Sequence, residues 1–175
     1  MNLTQNHFEL FDLPASFDID TNELATRYRT LQQTVHPDRF AGASDQEKRL
    51  AAQKTAQIND AFQTLKHPVK RGQYLLEMQG AAVDLEAAGE MDPDFLFQQM
   101  ELREMLEAVE SQSEPLSALD KYLKTVGGHI DEVIAGLSAQ LKANQLDAAG
   151  ETVRRLQFFH RLQEEGLNLE EKLLD

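Results

Sequence analysis

The sequence contains no cysteine in 175 residues. Without cysteine the chain can form no disulfide, offers no thiolate ligand and has no cysteine nucleophile. No apolar run approaches the roughly 20 residues that a membrane-spanning helix needs. The first five residues have neither the basic nor the apolar region of a signal peptide. We therefore expect a soluble intracellular protein without a membrane partner.

Positive charge is scarce, and the excess of negative charge lies in one part of the chain. The sequence has 17 Lys and Arg against 30 Asp and Glu, a formal net charge of −13. Residues 1–75 hold nine of each sign, whereas residues 76–175 hold eight basic and twenty-one acidic residues. Binding to nucleic acid depends on neutralising phosphates, so the overall charge argues against that partner. The asymmetry indicates two modules with different partners.

Strand patterns and short repeats are absent, and helical periodicity dominates. Asp20–Val35 and Ser44–Leu65 are amphipathic, and each begins with the pattern of a capping box. The loop between them is short, so we expect an antiparallel helical pair. The predicted buried stripes are Leu24, Tyr28, Leu31 and Val35 in the first helix, and Leu50, Ile58, Phe62 and Leu65 in the second.

Shorter and longer helices are predicted on either side of this pair, so the fold class is all-α. A docking helix in residues 7–14 would be ended by Pro14. The glycines at 127 and 128 leave open whether their helix continues or bends. The other predicted helices are Val69–Met78, a helix from the N-cap Asp92 and Pro93 to about Ser111, Glu114–Ala143, and Gln145–Leu174.

The tripeptide His36-Pro37-Asp38 lies in the loop of the helical pair. Because proline disfavours a helical conformation in the residue before it, we expect an exposed corner. An ordinary turn and a His/Asp catalytic dyad are the alternatives to a binding role. The dyad lacks a nucleophile, a glycine-rich phosphate loop and a second carboxylate nearby. The five histidines show no ligand spacing, so we expect no metal site. We likewise expect no catalytic residue and no cofactor.

The helix that starts at Pro93 has two apolar faces. At 100° per residue, a core face contains Phe95, Leu102, Met105, Leu106 and Val109. Leu96, Phe97 and Met100 fall on the far side, beside Glu101 and Glu104. Exposed apolar groups bordered by carboxylates are typical of an interaction site. The pattern alone leaves open whether this second face instead packs on the first module or broadens the core.

The helical pair and its tripeptide resemble a J domain, the module that stimulates the ATPase of Hsp70 chaperones. The run Ile58–Leu65 resembles the third helix of that family, and Pro68, Arg71 and Tyr74 extend the likeness. The resemblance implies an Hsp70-binding surface on the first module. Its residues would be Arg27, Arg29, His36, Pro37, Asp38 and Arg39. Arg27 and Arg29 lie off the apolar stripe of their helix, so we expect both to face solvent.

The second half resembles HscB, a family of J-type co-chaperones of iron–sulfur cluster assembly, in Phe95–Glu104, Thr152–Phe158 and Leu169–Asp175. The resemblance implies a J domain in residues 1–76, a connecting segment in 77–91 and a three-helix bundle in 92–175. It also implies an HscA-like Hsp70 and an IscU-like cluster scaffold as partners, with no small-molecule substrate. The scaffold-binding residues would be Leu96, Phe97, Met100, Glu101, Glu104 and Phe158, and we expect the four apolar ones to be substantially exposed.

The chain would be a bacterial cytoplasmic co-chaperone that stimulates a partner's ATPase, and not an enzyme itself. A J protein with general unfolded clients and a structural helical adaptor are the alternatives. The last helix is apolar on two sides, so its periodicity does not decide whether Phe158 or Phe159 is exposed.

Overall fold

The computed structural model describes residues 4–87, 89 and 92–175. Residues 88, 90 and 91 of the predicted connecting segment lie outside this range, as do residues 1–3. The described residues contain α-helices and 3₁₀ turns and no strand, which confirms the all-α class. The chain divides into two compact units, Met1–Gly80 and Ala81–Asp175. The three-part division into residues 1–76, 77–91 and 92–175 stays a prediction.

The first unit is built on an antiparallel helical pair. Tyr28 of the first long helix stacks on Phe62 of the second, with ring centroids 3.9 Å apart, and its hydroxyl donates to Asn59 at 2.8 Å. Farther along, Val35 and Ala51, which lies near the opposite end of the second helix, line the same cavity. The helices of this unit are α1 (His7–Leu10), α2 (Thr21–Val35), α3 (Asp45–Lys66) and α4 (Pro68–Met78), with a 3₁₀ turn at Pro37–Phe40.

Local capping explains where α2 and α3 begin. The predicted capping box of α3 is complete, because Ser44 and Glu47 exchange backbone-to-side-chain hydrogen bonds. The one predicted for α2 is only half formed. Asp20 accepts from the N–H groups of Asn22 and Glu23, but the Glu23 side chain pairs with Arg27 instead of returning to the N-cap. The prediction of a reciprocal box at α2 is therefore wrong.

The buried stripe of α3 differs from the predicted one at a single position. Leu50 is 42% exposed, whereas Ala51 is buried together with Ile58, Ala61 and Leu65. Seven residues from Ala51 to Ile58 nearly complete two helical turns, while eight residues from Leu50 end roughly 80° away. The prediction of a buried Leu50 is wrong because the helical register at the contact between α2 and α3 places Ala51 there.

The second unit is a three-helix arrangement in which the two longest helices run antiparallel. The Tyr122 hydroxyl donates to the Leu162 carbonyl at 3.1 Å, and His129 stacks on Phe159. The helix that contains Gly127 and Gly128 continues through both glycines. The helices of the second unit are α5 (Pro93–Ala108), α6 (Pro115–Lys142) and α7 (Leu146–Leu174), with a 3₁₀ turn at Val109–Ser111 between α5 and α6.

Candidate functional sites on the two units

His36, Pro37 and Asp38 form an exposed corner between α2 and α3, as the sequence predicts. Helix α2 ends at Val35, and His36 is extended with φ −58° and ψ 136°. Pro37 then opens the 3₁₀ turn. The side chains of His36 and Asp38 are 58% and 91% exposed. No part of the core depends on them, so they are available to a partner.

The imidazole of His36 is oriented by its own loop. Its Nδ1 accepts a hydrogen bond from the backbone N–H of Asp38 at 3.3 Å, which assigns the proton of the neutral ring to Nε2. The carboxylate of Asp38 lies 3.5 Å from the same Nδ1. The N–H of Arg39 donates to the His36 carbonyl at 3.0 Å, which closes the turn. The corner therefore presents an oriented donor and a carboxylate side by side.

Two of the three predicted arginines lie beside this corner. Arg29, Arg39, His36 and Pro37 line one cleft of about 580 Å³. Arg29 and Arg39 are both exposed, and the Arg29 guanidinium makes a long contact of 3.4 Å to the Thr26 hydroxyl. This arrangement forms a cationic edge next to the tripeptide, suited to an acidic surface.

Arg27 is placed differently from the prediction of a solvent-facing side chain. Only 34% of its side chain is exposed. The guanidinium donates to the Phe11 carbonyl at 2.6 Å, to the Asp12 carbonyl and to Glu23. Helix α1 ends at Leu10, before Pro14, and Asp12 adopts a left-handed φ of 52°. The prediction is wrong because Arg27 satisfies the carbonyls that this turn leaves without helical partners.

On the second unit, the start of α5 is attached to α7. Asp92 caps α5 by accepting from the Asp94 N–H at 3.0 Å. The same carboxylate accepts from the Arg155 guanidinium at 2.7 Å. The hydrogen bond from Arg155, followed by that from Asp94, holds the pKa of Asp92 below its ordinary value. Phe95 packs edge-on against Phe158 and Phe159, with centroids 5.5 and 5.7 Å away.

The side of α5 that carries Leu96, Phe97, Met100, Glu101 and Glu104, here called the α5 face, is open to solvent. Leu96, Phe97 and Met100 are 42%, 65% and 58% exposed. Both glutamates are exposed beside them. The opposite side buries Leu102 and Val109 and half-buries Phe95, Met105 and Leu106. The α5 face is therefore the side of the helix that is turned away from the core, and its three apolar side chains keep large exposed surfaces.

The structure resolves which phenylalanine of α7 a partner can reach. Phe159 is 1% exposed and stacks on His129 with centroids 5.2 Å apart. Phe158 is half-buried, which corrects the expectation that it is substantially exposed. The ring of Phe95 covers part of it, and it lies on the side of α7 that faces α5. Its remaining surface lies in one groove with Leu96.

Arg103 is a neighbour of this site that the sequence prediction omitted. Its guanidinium carbon lies 5.8 Å from the centroid of the Phe158 ring, within the range of a cation–π contact. It also lies 3.8 Å from the Glu165 carboxylate, and 54% of the side chain is exposed. Helical spacing could have predicted its place beside the α5 face, since Arg103 is seven residues after Leu96 and three after Met100.

Residues 4–87, 89 and 92–175 contain no group of three or more His, Asp or Glu side chains that could hold a metal ion. In the same residues, no helix has both the length and the apolarity to cross a membrane.

The chain matches two protein families, one for each unit. Residues 6–74 match the family described as DnaJ domain. Residues 91–165 match the family described as HSCB C-terminal oligomerisation domain. These matches cover the tripeptide corner and the α5 face respectively.

Relatives and solved structures match over nearly the whole chain. A co-chaperone protein HscB homolog of Shewanella pealeana is 44% identical over 174 residues, which cover 97% of this chain and 99% of the relative. The homolog of Aliivibrio fischeri is 46% identical over 169 residues, with the same coverage. The chaperone HscB from Vibrio cholerae superposes with a TM-score of 0.86 at 41% identity, over 97% of this chain and 99% of that one. Human co-chaperone protein HscB gives 0.88 at 30% identity, over 97% and 84%. The chain therefore belongs to the HscB family of J-domain co-chaperones, which confirms the resemblance in its sequence.

Proposed function

We propose that this protein binds an IscU-like iron–sulfur cluster scaffold, delivers it to an HscA-like Hsp70 and stimulates the ATPase of that chaperone. In this role it assists cluster maturation and transfer in the bacterial cytoplasm, and the catalysis belongs to its partner. The observation that carries the proposal is that one chain has both an exposed tripeptide corner, on its first unit, and an exposed apolar face, on its second unit.

The Hsp70 side of the proposal rests on the first unit. His36 and Asp38 are exposed and oriented by their own loop, and Arg29 and Arg39 line the same cleft. Oppositely charged surfaces steer association and raise its rate, so the cationic edge suits an acidic Hsp70 surface. Arg27 stays part of the proposed site, although its contacts with α1 give it a structural role as well.

The scaffold side rests on the α5 face together with Phe158. Large apolar groups that are clustered, central and surrounded by polar groups are the usual anchors of a protein interface. Leu96, Phe97 and Met100 fit this description, with Glu101 and Glu104 at the border. The partner should therefore present a complementary apolar surface with basic groups around it.

A steady-state ATPase assay tests the function. An HscA-type Hsp70 is measured alone, with this protein, and with this protein plus an IscU-type scaffold. We expect stimulation by the protein and a further increase with scaffold. The His36→Gln variant should lose the stimulation while its circular dichroism and thermal midpoint stay unchanged, because no core contact involves the ring.

The outcomes separate the alternatives. Full stimulation by His36→Gln would contradict the assigned Hsp70 contact. Stimulation that unfolded polypeptides increase and the scaffold does not would indicate a J protein with general clients. Scaffold binding without any effect on the ATPase would indicate a structural adaptor.

A further inference from the structure

A groove continues the proposed scaffold contact from α5 onto α7. It has a volume of about 330 Å³ and is lined on one side by Phe95, Leu96 and Gln99 of α5. Phe158 of α7 lines it as well. Leu96 and Phe158 therefore belong both to the groove and to the proposed scaffold contact. A partner seated on these two residues has the groove directly beside it.

The groove has more basic than acidic side chains, although the unit around it is strongly acidic. Arg154, Arg155 and Arg161 of α7 line it, together with the carboxylates of Asp92 and Glu151. These arginines are three of only eight Lys and Arg residues in residues 76–175, against twenty-one Asp and Glu. Arg154, Phe158 and Arg161 follow one another at intervals of four and three residues, so they form one stripe on the helix. The stripe places an apolar ring between two guanidinium groups.

Two of these arginines already have structural partners. Arg155 binds the carboxylate that caps α5, and both side chains are roughly one-third exposed, at 38% and 34%. Arg154 donates from its Nε to the Asp84 carbonyl at 3.0 Å and pairs with Glu151 on its own helix. Replacing Arg155 would disturb the start of α5, and replacing Arg154 would disturb the segment before it.

Arg161 differs from the other two. Among the residues that the structure describes it pairs with Glu86, whose Oε1 accepts from the guanidinium at 3.0 Å. The pair is open to water, with 56% of Arg161 and 77% of Glu86 exposed. An ion pair this exposed is weak, because solvent screens the charges and two long side chains must be ordered. A guanidinium has five N–H donors in a planar fork, so most of its capacity is available.

We propose that Arg161 receives a carboxylate of the bound scaffold protein, carried on an acidic segment that enters the groove and displaces Glu86. An apolar residue of the same segment would contact Leu96 and Phe158. Glu86 is then an internal competitor that occupies the guanidinium when the partner is absent. This inference rests on the proposed function, because it extends the scaffold contact of the α5 face.

Neutralising Arg161 and neutralising Glu86 should change the affinity for the scaffold in opposite directions. Affinity for an IscU-type scaffold is measured by calorimetry at low and physiological salt. Arg161→Gln should weaken binding about tenfold, which corresponds to ~1.4 kcal/mol, and should reduce its salt dependence. Glu86→Gln should strengthen binding by about threefold, since the bound carboxylate no longer has a competitor. The double variant should bind like Arg161→Gln, because the competitor matters only where Arg161 is present.

A second exposed pair on the same unit provides the matched control. Lys124 and Asp120 of α6 form an ion pair at 2.7 Å with side chains 76% and 63% exposed. Lys124→Gln and Asp120→Asn change the charge of the unit by the same amounts without touching the groove. Both should leave scaffold affinity within about twofold of the wild type. Thermal midpoints of all variants should agree, because the pairs are exposed.

The inference is overturned if Arg161→Gln binds as the wild type does, or if Glu86→Gln weakens binding as much as Arg161→Gln. The latter result would mean that the pair only holds the shape of the groove. A variant with Leu96, Phe97 and Met100 all changed to Ala distinguishes failure of this inference from failure of the proposed function. If it loses binding while Arg161→Gln keeps it, only this inference fails. If it binds normally, or if the wild type does not bind the scaffold, the proposed function fails and the inference with it.

Discussion

The backbone of Gly166 in α7 lies directly against the ring of Tyr122 in α6. A β-carbon added at Gly166 would come within 2.9 Å of the Cε1 atom of that ring and within 2.8 Å of a methyl carbon of Leu123. Tyr122 is fully buried, and burial raises the pKa of its hydroxyl to about 12. Its hydroxyl donates to the Leu162 carbonyl one turn away. Because Gly166 has no side chain at this point, α6 and α7 can approach each other closely.

Gly166→Ala should therefore destabilise the protein although alanine favours helices. A buried ring cannot move aside freely, and overpacking of a core typically costs about 1–3 kcal/mol. The matched control is Gly128→Ala in α6, where nothing lies within 4 Å of the added carbon. That variant should gain up to about 1 kcal/mol from helix propensity. Urea denaturation of both variants checks the prediction, and equal effects would contradict the close contact.

The α5 face should contribute binding and little stability. Changing Leu96, Phe97 and Met100 to Ala should lower scaffold affinity at least tenfold, or ~1.4 kcal/mol. Each exposed truncation should change the free energy of unfolding by only about 0.5 kcal/mol. Leu102→Ala on the buried side of the same helix should instead cost about 2–5 kcal/mol. If the triple variant unfolds as easily as Leu102→Ala, these residues are core.

Arg27 and Arg29 should separate into a structural and a binding residue. Arg29→Glu should reduce stimulation of the Hsp70 ATPase and leave the thermal midpoint unchanged, since Arg29 is exposed. Arg27→Gln removes donors from the carbonyls of Phe11 and Asp12 and should cost about 1–3 kcal/mol of stability. Chemical denaturation beside the ATPase assay distinguishes them. A fully stable Arg27→Gln would contradict the role assigned to its guanidinium.

The first unit should lose stability on mild acidification. Burial lowers the pKa of His7 below 6.5, and this outweighs the opposite effects of Asp60 and Glu77. The unfolded chain therefore binds the proton more readily, so stability falls as the pH drops through about 6.5 toward the folded pKa. His7→Phe keeps an aromatic ring against Tyr74 and should show a smaller loss between about pH 7.5 and pH 5.5. Equal slopes for wild type and variant would show that His7 does not carry the effect.

Local sequence signals predicted the helices well because their causes are local. The Ser44 capping box, the proline after Asp92 and the apolar stripe of α2 each act within one or two turns. The exposed corner at His36 followed from the proline next to it. The two faces of α5 followed from residue spacing alone, and Leu96 and Leu102 lie on opposite sides as expected.

The remaining features depend on contacts between distant parts of the chain. Arg71 is only 7% exposed, donates to the Leu65 carbonyl at 2.8 Å and lies 4.7 Å from the Phe17 ring. Burial lowers its pKa, which nothing in its sequence surroundings indicates. The choice between Phe158 and Phe159 likewise required knowing which one meets His129. The Arg161–Glu86 pair joins residues far apart in the sequence, so periodicity could not reveal it.

Because Asp92 has two structural roles, a substitution there would affect binding indirectly. One carboxylate both starts α5 and attaches it to Arg155 of α7. Leu96 and Phe158, on those two helices, would meet the proposed scaffold together, and this attachment helps to hold their spacing. A substitution at Asp92 would thus lower affinity by misaligning two intact contacts, and a mutational scan alone would report it as an interface residue.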